Sequence, residues 1–137
     1  MATVSDITVT PLSGLNHIDA LLDKGPDWNY LSNSNANILF YTFSTASGNE
    51  TGKSGQETFS AAQQAETRGA FAYLQQLTGI EFRETTDGTG AQIHLANMDL
   101  EGRNTTGLCS WQAGYRSLPN GTLTEYTANA YVYLDNN

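Results

Sequence analysis

The chain has 137 residues, which is enough for one domain and too few for two. Hydrophobic residues make up 39% of it and Tyr is the commonest aromatic residue, which argues for a folded chain. Its net charge of −8 disfavours nucleic acid and anionic membrane surfaces as partners, and no apolar stretch approaches membrane-spanning length.

The first residues carry neither the basic region nor the apolar run of a signal peptide. The sequence therefore leaves three expectations open. The protein is cytoplasmic, it is exported by a route that reads another part of the chain, or it has been cut from a longer precursor.

Residues 1–36 are predicted to be an irregular lead-in with one short helix, and residues 37–137 to form the sub-domain proper. The helix would carry a stripe of Ile18, Leu21 and Leu22 and end at Lys24-Gly25-Pro26. Residues 37–44 follow as the clearest strand, and their five large apolar or aromatic side chains suit burial on both faces. Residues 45–57 are predicted to be a mobile surface loop.

Residues 60–77 are predicted to form the one long helix. Ser60 and Gln63 make a capping box, and Gly79 supplies a left-handed stop. The helix should pack across the strand 37–44, with Ile38, Phe40 and Leu74 buried. Its apolar stripe at helical spacing comprises Phe59, Ala62, Ala70, Tyr73, Leu74 and Leu77.

Further strands are predicted at residues 80–84, 91–96 and 128–134, with an extended piece at 111–118 and a hairpin turn at Asp87-Gly88-Thr89-Gly90. The first strand and the helix favour a right-handed crossover to a parallel strand. The expected fold class is α/β (α+β): a twisted mixed sheet of about five strands with one long helix packed on it.

The motifs alone name no reaction. His17 and His94 are the only histidines and have no ligand at metal-binding spacing, so His94 is interpreted as a strand residue on the polar face. A Ser-His-Asp triad stays open because its members need not be near in sequence, although no G-x-S-x-G elbow is present. Cys109 is the single cysteine, so no internal disulfide can form, and it is interpreted as a half-buried small apolar residue.

The order of segments resembles the N-terminal part of serralysin-like zinc metallopeptidase domains, of the metzincin group with the zincin fold. Each match is short, but together they cover nearly the whole chain in order. The matching segments are Gly14–Leu22 followed by Trp28, Ile38–Ser44, Phe59–Ala65, Thr78–Phe82 with Ala91–Ala96, Ala113–Pro119, and Ala130–Asp135.

The resemblance implies a zincin-like upper sub-domain of a secreted bacterial endopeptidase that hydrolyses peptide bonds with metal-activated water. The family continues into a helix with H-E-x-x-H-x-x-G-x-x-H, whose histidines bind zinc and whose glutamate is the general base. That helix would follow Asn137, so no catalytic or metal-binding residue is expected in this chain. Zinc is expected in the parent protein, and calcium in a C-terminal region that this chain does not contain.

The resemblance also assigns substrate binding to the backbone of an edge strand, along which a peptide lies extended and antiparallel. The residues concerned are Gly114, Tyr115, Arg116, Ser117 and Leu118.

Two alternatives remain. One is a non-catalytic α/β module that binds a peptide or protein through the same edge, and the other is a small enzyme with an unrecognised site.

Without the zinc helix, an apolar patch near Tyr131 and Tyr133 should be exposed, and the chain should be marginally stable or self-associate.

Overall fold

The computed structural model describes residues 3–9, 12, 14–15, 37–102 and 104–136. Two helices and five strands lie in this part of the chain. In chain order they are α1 (Val4–Thr8), β1 (Ile38–Thr42), α2 (Ala61–Thr78), β2 (Glu81–Glu84), β3 (Ile93–Met98), β4 (Gly107–Ser117) and β5 (Leu123–Asp135).

The strands form one sheet in the order β2-β1-β3-β5-β4. Strands β2, β1, β3 and β5 run parallel, and β4 alone pairs antiparallel, with β5. The crossover through α2 joins β1 to the parallel strand β2, as the sequence predicted. A mixed five-stranded sheet with helices, an α/β fold, is therefore confirmed.

The two faces of strand β1 are buried unequally, whereas burial on both faces was predicted. Leu39, Tyr41 and Phe43 are buried, while Ile38 and Phe40 are only half-buried, so the prediction that the latter two are buried was wrong. Successive side chains of a strand point to opposite faces. Leu39, Tyr41 and Phe43 therefore share the face of the sheet that packs against Phe71 of α2 and against α1.

Helix α2 begins and ends where its caps predicted. The Ser60 hydroxyl accepts a hydrogen bond from the Gln63 backbone N–H, and the Gln63 Oε1 accepts one from the Ser60 N–H. Gly79 adopts a left-handed φ of 72°. The face turned to the sheet was predicted wrongly, because Tyr73, Leu74 and Leu77 are exposed. The half-buried residues are Gln63, Gln64, Thr67 and Phe71.

Helix α1 was not predicted. Thr3 and Asp6 form its capping box, and Ile7 is buried in the core beside Leu39 and Leu123. The Val4 backbone N–H donates to the Gly121 carbonyl, which ties α1 to the turn between β4 and β5. The short helix that the sequence predicted around Ile18, Leu21 and Leu22 lies outside the described residues.

The turn at Gly88 is not a hairpin, because β2 and β3 do not pair with each other and instead flank β1. It packs against the loop that follows β1. A Cβ on Gly88 would lie 1.9 Å from the Ser47 carbonyl oxygen, and a Cβ on Gly48 would lie 2.1 Å from the Gly88 carbonyl oxygen. Only glycine fits at this contact between backbones.

The two loops should therefore not tolerate a methyl group at this contact. Gly88→Ala is expected to lower the free energy of unfolding by about 1–3 kcal/mol or more, because backbone must move. Gly69→Ala is the matched control: it lies in α2 with open space around its Cβ position, and should raise stability by about 0.5–1 kcal/mol. Denaturant unfolding of both variants measures these changes. Equal changes in the free energy of unfolding would contradict the close contact between the two loops.

Candidate peptide-binding edge

Strand β4 lies at one end of the sheet, and no other described strand pairs with its outer side. Its residues are exposed along nearly its whole length, apart from half-buried Ser110 and Trp111. Four of the five residues that the sequence assigned to a substrate-binding edge, Gly114–Ser117, lie in β4. Leu118 lies just beyond it, in the turn, where its N–H donates to the Thr122 carbonyl at 2.8 Å.

The hydrogen-bond pattern shows which peptide groups of β4 point away from β5. Asp135 donates its N–H to the Thr106 carbonyl at 3.1 Å, which makes that opposing pair a hydrogen-bonded one. Bonded and non-bonded pairs alternate in an antiparallel ladder. The register is unbroken up to a shift between Arg116 and Ser117. The even-numbered residues of β4 therefore bond to β5, and odd-numbered ones such as Ala113 and Tyr115 turn their N–H and C=O outward.

Hydroxyl groups of β5 support the same assignment. The Thr127 hydroxyl donates to the Gly114 carbonyl at 3.4 Å, and the Thr124 hydroxyl donates to the Arg116 carbonyl at 3.2 Å. Both of these even-numbered carbonyls thus face β5. The outward groups form a row of donors and acceptors spaced two residues apart, as an added strand requires.

The two faces of β4 differ in chemistry. Odd-numbered side chains lie on the face of α1 and α2: Trp111 packs against the core cluster around Tyr126 and Ala128, and Tyr115 is half exposed. Even-numbered side chains lie on the far face and are mostly polar. There Arg116 pairs with Glu125 at 3.2 Å, in an exposed ion pair that adds little stability.

A buried carboxylate anchors β4 on the far face. The Ser110 hydroxyl donates to Glu50 Oε1 at 2.7 Å, and Glu50 is buried. Burial, together with the nearby Glu50, raises the pKa of Tyr133 to about 12. Glu50 comes from the segment 45–57, which was predicted to be a mobile loop. No local pattern distinguishes Glu50 from Glu57, the other acidic residue of that segment.

The same segment contradicts the predicted apolar patch. Tyr131 and Tyr133 were expected to be exposed, but they are buried at 6% and 2% exposure in a cluster with Ala96, Met98 and Leu100. Glu50 and Gln56 lie beside Tyr133 on this face. Residues of the loop after β1 therefore help to cover this face, where an exposed apolar patch was predicted.

His94 was predicted to lie on the polar face of its strand, but its side chain is buried. Its ring stacks on Tyr131 with centroids 4.7 Å apart, and its Nε2 lies 3.4 Å from Asn129 Oδ1. Burial lowers the pKa of His94 below its ordinary value. His17 lies outside the described residues. Cys109, expected to be half-buried, is exposed on β4.

An open cavity of about 340 Å³ lies where β1 and β2 end, lined by hydroxyls from Ser44, Thr45, Thr58 and Thr85 and by Glu84. Glu84 is held by Arg68 through bonds of 2.6 and 2.9 Å, and these chiefly lower the pKa of Glu84. Arg68 also lies over the Phe43 ring at 5.3 Å. Among the described residues that line it, Glu84 is the carboxylate, and its charge is neutralised by Arg68.

Among the described residues, no group of three His, Cys, Asp or Glu side chains is placed to hold a metal ion. None of the described helices is both long and apolar enough to cross a membrane.

No protein-family model, no curated protein and no solved structure matches this chain.

The buried state of His94 predicts a pH dependence of stability. Because the folded protein holds His94 with a lowered pKa, the unfolded chain binds the proton first, and stability should fall as pH drops below the ordinary value of about 6.5. His94→Gln should flatten the decrease in unfolding free energy between about pH 6.5 and 5, where carboxylates still contribute little. His17→Gln is the control, and an equal flattening in it would contradict the assignment.

Proposed function

We propose that the chain is the N-terminal, peptide-binding sub-domain of a secreted serralysin-like zinc endopeptidase, with a zincin-like sheet whose edge strand β4 holds the substrate. The observation that supports this is the outer side of β4. It is an 11-residue edge strand, antiparallel to its neighbour, whose outward peptide groups recur at every second residue.

A peptide that pairs with this edge would gain most of its affinity from main-chain hydrogen bonds. Ala113 and Tyr115 each offer one N–H and one C=O at the open side, and these are independent of the peptide's side chains. The strand is already ordered by β5 and by Glu50, so binding would order the peptide alone.

The hydrolytic step belongs, in this proposal, to residues encoded after Asn137. A helix with H-E-x-x-H-x-x-G-x-x-H there would supply three zinc ligands and the general base. Calcium would be bound by a further C-terminal region. The sequence encoded within a few tens of residues after Asn137 tests this, because a continuation without the motif would remove the peptidase from the proposal.

A non-catalytic module that binds a peptide or protein through β4 is the second candidate. It is favoured by the anchoring of β4, whose ladder to β5 and bond to Glu50 lie within this chain. A second copy of the chain could pair with the same edge, as edge strands do when nothing covers them. Sedimentation over a concentration series measures that self-association.

Proline substitution separates binding from folding. Ala113→Pro removes an N–H that faces the open edge, whereas Gln112→Pro removes one that bonds to β5. Ala113→Pro should abolish the binding of neutral nine-residue peptides of alternating Thr and Val while destabilising the protein less than Gln112→Pro. The readouts are peptide-induced changes in the amide NMR spectrum and denaturant unfolding. Undiminished peptide binding by Ala113→Pro would refute edge pairing.

The metal content of this chain gives a separate test. With His17 and His94 as its only histidines, the purified chain is expected to retain no stoichiometric zinc after dialysis and to hydrolyse no casein. Elemental analysis and a protease assay measure both. One tightly bound zinc per chain, lost in His17→Gln or His94→Gln, would overturn the assignment of the metal site to residues beyond Asn137.

A further inference from the structure

Gly114 lies in the middle of β4, where glycine weakens a strand. The fold does not require glycine there. Its φ is not positive, and a Cβ would meet only the Thr127 hydroxyl at 3.7 Å, an ordinary contact. The glycine therefore leaves a gap in the row of side chains on the far face of β4, between Gln112 and Arg116.

The residue across from Gly114 on β5 does not fill this gap. Thr127 has a short side chain, and its hydroxyl is turned to the Gly114 carbonyl. On the open side, the position across from Gly114 would belong to an added strand. An exposed glycine in a sheet is stabilised when an aromatic side chain on a neighbouring strand lies across it.

The hydrogen-bond pattern places Gly114 at a close-contact position of such an added strand. The peptide N–H and C=O of Gly114 both point to β5. Gly114 and the residue opposite it on an added antiparallel strand would therefore form a non-hydrogen-bonded pair. In these pairs the Cα atoms are about 4.5 Å apart and the side chains are closest. A side chain across from Gly114 could then lie flat over the exposed backbone.

We propose that β4 selects extended segments that pair antiparallel and carry an aromatic side chain opposite Gly114. This inference rests on the proposed function and adds a specificity position to it. The residues of the segment on either side of the aromatic would point to the other face, beside Ala113 and Tyr115, and are expected to be apolar. With a net charge of −8, the protein would favour neutral or basic segments.

A disulfide tether fixes the register for the test. Cys109→Ser removes the native thiol, and Gln112→Cys introduces the thiol used for tethering. Gln112 is also a non-hydrogen-bonded position on the open side, and residues paired at such positions have a Cα spacing that a disulfide can bridge. Neutral peptides of alternating Thr and Val carry a cysteine two residues after a variable residue, which antiparallel pairing places opposite Gly114. Phe, Leu and Ala are compared at the variable position by the fraction tethered in a thiol redox buffer.

The Phe peptide is expected to tether about fivefold more favourably than the Ala peptide, as a good cross-strand pair would give. In a protein that also carries Gly114→Ala, whose methyl group fits at an ordinary contact distance and covers the backbone, the Phe advantage should disappear and the Ala peptide should tether as before. Peptides with the cysteine two residues before the variable residue are the control for strand direction, and should show no Phe advantage.

Equal tethering of Phe and Ala peptides, or a Phe advantage that survives Gly114→Ala, would overturn the inference and leave edge binding intact. A Phe advantage only with the reversed cysteine spacing would overturn the antiparallel register. If no peptide tethers above the level seen with a fully Gly/Ser peptide of equal length, both the inference and the proposed function fail. Comparison of the three peptides on the Gly114 protein stands even if Gly114→Ala does not fold.

Discussion

Strand β5 is the element on which the rest of the structure depends. It pairs in parallel with β3 over residues 130–135 and antiparallel with β4 along nearly its full length. Its side chains are used on both faces, with Tyr131 and Tyr133 in one cluster and Val132 and Leu134 against the other. A strand buried on both faces has one acceptable register, because a shift of one residue would exchange its two sets of side chains.

That fixed register is what gives β4 a defined outer side. Since β5 holds the even-numbered peptide groups of β4, the odd-numbered groups must point outward. Glu50 adds a second restraint from the far face through Ser110, although it lies about sixty residues away in sequence. Exposed edge strands invite unwanted pairing, and the charged Arg116 and the register shift beside it limit the length of β4 that another strand could follow.

The sequence predicted the strands well and their faces poorly. Turn residues and apolar runs located all five strands, although β4 and β5 begin four and five residues earlier than predicted. Periodicity could not settle the faces where every residue is large and apolar, as from Ile38 to Tyr41. In α2 the apolar stripe predicted the wrong face, because the helix contacts the sheet partly through polar side chains. The hydrogen-bonded amides of Gln63 and Asn97 are an example.

The candidate site was also only partly predictable, because its position depends on contacts between segments that are far apart in sequence. An edge strand is recognised by its place in the sheet, and Gly114–Ser117 were assigned to it from the resemblance alone. The contribution of Glu50 depends on a contact across the sheet that no local pattern encodes. The same alternation that separates the two faces of β4 also separates its two tasks. Groups that bond to β5 maintain the fold, whereas in the proposed function the outward groups bind the peptide, so substitutions that change binding would leave the sheet intact.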